Sequence, residues 1–287
     1  MTALFKQMTI CGVGLIGGSL ALVARREKLV ERIVGLGRTQ ENLDTALKRG
    51  IVDLATRDSE AAARDAGLVV LAVPIRTMPQ TLAAMVPRLP ADAVISDVGS
   101  VKGWVVDALE PLLGSRMALA AAHPVAGKEI TGAAAADEEL FVGHRVIITP
   151  SQRSTPAALD KVERLWRATG ARVERMTPAE HDEILAHVSH LPQFVASSLA
   201  AALAGERVGD HEVAGYGAGG LRDTTRIAAS SAEMWRDIAL TNRDAIVKAL
   251  EGFRITFEEF ELAIRDGNMS AFEALFNRGR AMRERLR

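Results

Sequence analysis

Cysteine is almost missing from this 287-residue chain. Cys11 stands alone, so no internal disulfide forms and a reducing cytoplasm is the expected setting. Aromatic residues make up only 4%, too few for the stacking platforms that hold single-stranded nucleic acids. Charge of one sign is lacking as well: 35 Lys and Arg meet 36 Asp and Glu, for a formal net charge of −1. Without a basic block there is no footprint for nucleic acid or an anionic membrane surface. No run of about 20 predominantly apolar residues exists to cross a bilayer as a helix. What remains is ordinary for a globular protein, 48% hydrophobic and 25% charged, and the length favours two domains.

Near the start, Lys6, an uncharged stretch from Met8 to Ala24 and then Arg25-Arg26 imitate a secretory signal. Four glycines inside that stretch are poor chemistry for a helical signal core, and another reading explains them. Met8-Thr-Ile-Cys11 is a short apolar run, Gly12-Val-Gly14-Leu15-Ile16-Gly17-Gly18-Ser19 follows, and a helical pattern begins at Leu15. Strand, glycine turn and helix together make G-x-G-x-x-G a dinucleotide-binding fingerprint. Gly12 serves the tight turn, Gly14 the approach of a pyrophosphate, and Gly17 the packing of helix on strand. Leu15 and Ile16 complete the turn, where unpaired N–H groups at the helix start face the phosphates.

The second strand, Arg32 to Leu36, ends where an NAD site commonly carries an acidic residue for the ribose 2′-hydroxyl. Here Gly37-Arg38-Thr39 stands instead. Arg38 would pair with a 2′-phosphate and Thr39 would donate to it, which favours NADP over NAD; the bland alternative is a solvated Arg38 and NAD without an acidic clamp. Further strand patterns at Leu68 to Val73 (ending at Pro74), Ala93 to Ser96, Met117 to Ala122 and Arg145 to Thr149 alternate with helical ones. The fold class is α/β: a Rossmann-type, doubly wound parallel sheet. Ligands in such sheets sit beyond the carboxyl ends of the strands, which marks Val73-Pro74, Asp97-Val-Gly-Ser100-Val-Lys102 and His123-Pro-Val-Ala-Gly127-Lys-Glu129.

From Thr177-Pro178-Ala-Glu180, a capping-box start, the remaining pattern is helical. The expected domains are a dinucleotide-binding domain over 1–176 and an all-α domain over 177–287. Pro192 should kink the first long helix or force a restart. His190 and Gln193, three apart, would share a helix face there, as would Arg222 and Arg226 after the loop Gly215 to Gly220. Apolar faces carrying Leu199, Ala202, Leu203, Ile246, Leu250 and Phe253 need cover, some of it from a second copy, so a homodimer through the helical half is expected.

Gly12-x-Gly-Leu-Ile-Gly-Gly-Ser19, Asp97-Val-Gly-Ser-Val-Lys102, His123-Pro-x-Ala-Gly-x-Glu129, Ser189-His-Leu-Pro192 and Gly220-x-Arg-Asp-x-Thr-Arg226 occur in this order across nearly the whole chain. The series resembles the prephenate/arogenate (cyclohexadienyl) dehydrogenases of tyrosine biosynthesis. That resemblance implies a Rossmann domain followed by a helical dimerisation domain. It also implies NAD(P)-dependent oxidative decarboxylation of prephenate to 4-hydroxyphenylpyruvate, of arogenate to tyrosine, or of both. His123 would be the base that takes the ring hydroxyl proton, with Ser100 hydrogen-bonded to the same hydroxyl and orienting His123. Arg226 would hold the ring carboxylate, His190 and Gly219 would line the substrate pocket, and Glu129 would lie near the side chain of the substrate. No metal is implied. The family commonly carries a second His where this chain has Gln193; a neutral amide serves a keto acid or an amino acid, which leaves room for arogenate. No regulatory domain is expected after the helical half, so tyrosine feedback would act by competition.

Other readings compete. His123 before Pro124 would serve to close a strand, and His181-Asp182 would be a structural hydrogen bond at a helix start. A 3-hydroxyacid dehydrogenase of similar two-domain design would need a lysine after a glycine pair in the second half, and Lys248 lacks that context. A non-catalytic NAD(P)-sensing module would keep the glycine loop without needing Ser100, His123 and Arg226 together.

Overall fold

A computed structural model of the chain describes residues 3–128 and 130–286. It begins with β1 (Phe5–Cys11), α1 (Leu15–Arg26), β2 (Val30–Leu36), α2 (Gln40–Lys48), β3 (Leu54–Thr56) and α3 (Ser59–Ala63). β4 (Leu68–Leu71), α4 (Met78–Met85), β5 (Val94–Asp97), α5 (Lys102–Leu109) and β6 (Ala118–Leu119) follow. The six strands form one sheet in the order β3-β2-β1-β4-β5-β6, every neighbouring pair parallel. β4 and β5 are buried at every position, as strands covered on both faces must be.

The stretch expected as one strand from Met117 to Ala122 changes partner midway. Ala120 donates its N–H to Ile95 in β5, but at Ala122 the N–H goes to the Asp97 side chain instead. From there β7 (Ala121–Val125) runs antiparallel to β8 (Arg145–Thr149), and β9 (Arg172–Arg175), after α6 (Pro156–Arg167), lies parallel to β8 on its other side. Arg145 to Thr149 therefore does not extend the parallel sheet. It centres a separate three-stranded sheet, β7-β8-β9, in which Pro124 sits on an edge strand where its missing N–H costs least.

The second half supplies α7 (Pro178–Leu185), α8 (Leu191–Leu203), β10 (Arg207–Val208), β11 (His211–Glu212), α9 (Gly219–Thr225), α10 (Ala232–Thr241), α11 (Arg243–Arg265) and α12 (Met269–Arg285). Thr177 and Glu180 cap α7 reciprocally. Between α7 and α8 the backbone widens into a π-helical turn, Ala186–His190. Pro192, in the first turn of α8, has no N–H to give the preceding turn, and the wider turn absorbs the missing bond. A two-residue hairpin, β10-β11, interrupts this otherwise helical half.

By contacts the chain forms two compact units, one of residues up to Leu185 with Ala229–Asn242, the other of Ala186–Ala228 with Arg243–Arg287. α7 and α10 thus pack with the first unit. They bury His181 and Leu185, and Asp237 and Ile238, respectively. The first unit has a core of its own, from Met8, Ile10 and Leu20 to Phe141 and Trp166, the last two edge-on at 5.2 Å between ring centroids. In the second unit α11 buries Ile246, Ala249 and Ala263 but exposes Ile255 and Phe257, and α12 exposes Phe276 and Met282. No described helix is long and apolar enough to cross a membrane.

Candidate active site

The order of the parallel sheet reverses between β1 and β4, the place where open α/β sheets hold ligands outside their carboxyl ends. A cleft of about 700 Å³ opens there. Gly12 takes φ +94°, and a Cβ at that position would strike the Ala72 carbonyl, so the turn admits only glycine without strain. At Gly17 a Cβ would come within 2.5 Å of the Gly12 carbonyl and 2.7 Å of Ile10, whereas around Gly14 nothing lies within 4 Å. Gly14 is the N-cap of α1, with no side-chain cap and no acidic residue in the first turn. The first-turn N–H groups therefore have no intrahelical acceptor and meet an open space. A dinucleotide pyrophosphate fits these features.

Of the residues expected to bind the cofactor, Gly12, Gly14, Arg38, Thr39, Val73 and Pro74 line the cleft. Leu15 and Gly17 are buried and Ile16 packs against the core, so these three contribute backbone and packing. Arg57 and Ser59 also line the cleft and were not visible in the sequence. The signal for Arg57 is the register of β2 on β3, which sets Leu36 beside Thr56 and so brings the residues after both strands together. None of the described lining residues is Asp or Glu. Asn42 is a second addition: it donates to Val13 O at 2.8 Å and accepts from Ala133 N at 2.7 Å, tying the glycine turn to the loop at Thr131 and Gly132. Ser19 ties down its other side, donating to Leu15 O at 2.6 Å and accepting from Asp137 N at 2.9 Å. Burial pushes the Cys11 thiol up to about 12, which removes thiolate chemistry from the site.

Two strands further along, the sheet end is dry. Asp97, the last residue of β5, and Lys102, the first of α5, form a fully buried ion pair. Lys102 Nζ also donates to Ala122 O at 2.7 Å, while Asp97 accepts Ala122 N–H at 3.2 Å and Gly99 N–H at 2.7 Å. Burial pushes the Lys102 ammonium below the ordinary lysine range, against the pull of Asp97. The pair thus holds both backbone groups of Ala122, the residue before His123. Ser100 lies half-buried in the loop that joins the two.

His123, in β7, is 8% exposed, and its ring is engaged from an element far away in sequence. Its Nδ1 lies 2.8 Å from His181 Nε2, and His181 Nδ1 lies 2.7 Å from Asp182 Oδ1. Asp182 in turn accepts backbone N–H groups from Lys102 at 2.7 Å and Gly103 at 2.8 Å, at the start of α5. Burial holds the His181 imidazole below its ordinary range, outweighing Asp182, which raises it. The hydrogen bond expected at this helix start is present, and it continues into His123.

The remaining expected residues lie in the second unit. His190 ends the π-helical turn and is 1% exposed. Gln193 is buried in α8; its Nε2 donates to Ile227 O at 3.0 Å and lies 3.3 Å from Ser197 Oγ, so its amide nitrogen is held by the chain itself. Gly219 opens α9, and Arg226 is exposed at the other end of that helix. Glu129 lies outside the described residues.

A glycine-loop cleft at the switch point of a parallel sheet places the chain in the class of Rossmann-type dinucleotide-binding proteins. Comparison with known proteins goes further. The pattern of the prephenate dehydrogenase nucleotide-binding domain matches residues 20–175, and that of the prephenate dehydrogenase dimerization domain matches residues 177–278. The chain belongs to the prephenate dehydrogenase family. It is 35% identical over 267 residues to cyclohexadienyl dehydrogenase of Zymomonas mobilis, covering 92% of this chain and 91% of that one. A crystal structure of prephenate dehydrogenase from Aquifex aeolicus, in complex with hydroxyphenyl propionate and NAD+, matches with a TM-score of 0.93 at 33% identity, covering 99% of both chains. Synechocystis arogenate dehydrogenase matches with a TM-score of 0.85 at 29% identity, covering 97% of this chain and 99% of that one.

Proposed function

We propose that this chain oxidatively decarboxylates prephenate, arogenate or both, with NADP favoured over NAD. The observation that carries the reading is His123, buried at the end of the sheet with the backbone of its neighbour Ala122 held by Asp97 and Lys102 and its ring held by His181. A base needs that fixity, because proton transfer in the transition state depends on a held geometry. A bound nicotinamide supplies the hydride acceptor. His123 takes the proton of the ring hydroxyl as the C–O bond becomes a carbonyl. Arg226 holds the ring carboxylate in its planar fork. Loss of that carboxylate as CO2 sends its bonding pair through the ring to the oxygen, which recovers a proton as the phenol. Ser100 hydrogen-bonds the reacting hydroxyl, His190 and Gly219 line the substrate pocket, and Glu129 and Gln193 serve the side-chain end.

Three cleft residues support NADP: Arg38 and Arg57 offer cations and Thr39 a hydroxyl, since Thr39 makes no side-chain cap to α2. With no acidic residue among the described lining, nothing there repels a 2′-phosphate. The exposed apolar faces of α11 and α12 support a homodimer. The test is reduced-nicotinamide absorbance with prephenate and arogenate, each with NAD and with NADP. Turnover is expected with at least one substrate, faster with NADP. Silence in all four combinations, with nucleotide still bound, would reject an enzyme and favour a nucleotide sensor; a strong NAD preference would reject the reading of Arg38 and Arg57.

A further inference from the structure

We propose that His181 and Asp182 are positioning residues that fix the tautomer of His123, so that its Nε2 carries the lone pair used as the base. The inference deepens the base assignment above and rests on it.

The argument runs inward from Asp182. Its carboxylate lies within hydrogen-bond distance of three nitrogens: backbone N–H of Lys102 at 2.7 Å and of Gly103 at 2.8 Å, and His181 Nδ1 at 2.7 Å. Two of those are unconditional donors, and an ionised carboxylate is acceptor-only, so the hydrogen of the third contact belongs to His181 Nδ1. Burial disfavours a second proton on His181. A neutral imidazole with hydrogen on Nδ1 has its lone pair on Nε2, and that atom faces His123 Nδ1 at 2.8 Å. His123 must then donate from Nδ1, and its own lone pair falls on Nε2. Any other distribution sets two N–H groups, or two lone pairs, against each other in a buried contact.

Among the described residues, the charges acting on His181 come from three elements. Asp182 lies on α7, while Lys102 of α5 and Asp97 of β5 neutralise one another. Among these described groups, the Asp182 carboxylate is the net negative charge behind the two rings. When His123 gains a proton at Nε2 from the substrate hydroxyl, whose O–H bond breaks, it already donates from Nδ1 to His181. No tautomer change is needed, and Asp182 favours the new cation. The arrangement does for a His–His–Asp series what a carboxylate directly behind a catalytic histidine does elsewhere.

The experiment pairs two variants with a spectroscopic readout on the full-length protein. His181→Leu removes both hydrogen bonds. His181→Gln restores them, since an amide donates to Asp182 and accepts from His123. Imidazole 15N shifts should report hydrogen on Nδ1 of His123 in the unmodified protein and in H181Q, and on Nε2 in part or whole in H181L. H181L should lose about 10–100-fold in kcat, with KM within about twofold and a displaced acid limb of kcat/KM, and H181Q should recover most of that loss. A purely structural role would lower the amount of folded protein without moving the acid limb or the tautomer. The proposal is overturned if the unmodified protein shows His123 protonated on Nε2, or if folded H181L keeps both kcat and pH profile; H181Q guards against an H181L that does not fold. Failure of the base assignment looks different: His123→Ala would then turn over normally, which overturns both.

Discussion

After β1 the chain leaves backbone N–H groups uncovered and surrounds them with glycine, while after β5 and along β7 it buries charged and titrating side chains and satisfies them from within. The first arrangement suits a ligand that brings its own negative charge: donors wait at the start of α1, and Gly14 keeps the space before them open. The second suits chemistry that depends on one ring in one orientation. Asp97, Lys102, His181 and Asp182 spend their hydrogen bonds on each other and on the backbone around His123. The two regions should therefore break differently, one losing binding with the fold intact and the other losing rate or stability.

The largest separation is expected from His123→Ala. Loss of a general base lowers turnover by about 10²–10⁴-fold, while dinucleotide affinity, measured by fluorescence titration, stays within about twofold. Equal loss of both would mean that the two regions are not independent. Lys102→Met comes next, and its effect is on stability. It strands a buried carboxylate, at a cost of about 3–5 kcal/mol in urea unfolding; with Asp97→Asn added, much of that loss should return, because the uncompensated charge is gone. A double variant no better than the single would show that the pair is held for its hydrogen bonds rather than its charges. Smaller effects belong to the glycine turn. Gly17→Ala should cost about 1–3 kcal/mol in stability through its clash with Gly12 and Ile10. Gly14→Ala has nothing to clash with and should leave the thermal midpoint alone while weakening dinucleotide binding about tenfold or more, at about 1.5–3 kcal/mol for a lost charged hydrogen bond. A Gly14→Ala variant that binds normally would remove the phosphate contact from the account.

The same contrast explains what the residue string reveals. The glycine turn is legible because its requirements are local: strand, turn and helix are contiguous, and each glycine answers to a neighbour within a few residues or across one strand. The cluster around His123 draws on residues 97, 102, 123, 181 and 182, and nothing in the spacing of 123 and 181 announces that they meet. Asp182 reads only as the partner of His181 in a structural hydrogen bond at a helix start, because its other partners, the N–H groups of Lys102 and Gly103, are on another element. The partner switch of the strand at Ala120 was equally hidden. An apolar run such as Arg145–Thr149 reads alike whether its neighbour is parallel or antiparallel. Arg57 was hidden for a related reason, since only strand register sets it near Arg38.

The smallest predicted effect tests the dry side of the comparison through pH. Burial keeps His181 below the ordinary imidazole value of 6.5, so the unfolded chain binds a proton there at pH values where the native state does not. Stability then rises with pH across this window, since the slope follows protons bound by the unfolded state minus those bound by the native state. The contribution is complete above about 6.5 and is lost as pH falls toward the lower native value. At its steepest the slope is about 1.4 kcal/mol per pH unit for one proton. Urea midpoints of the unmodified protein should therefore fall faster from pH 7 to pH 5 than those of His181→Gln, which keeps the hydrogen bonds but cannot titrate. Taking the difference between the two cancels the other titrating groups nearby, Asp97, Lys102, Asp182 and His123 among them, to the extent that the amide leaves their surroundings unchanged. Parallel curves would mean that His181 takes up its proton as readily in the fold as out of it, and the region behind His123 would then be wetter than its geometry requires.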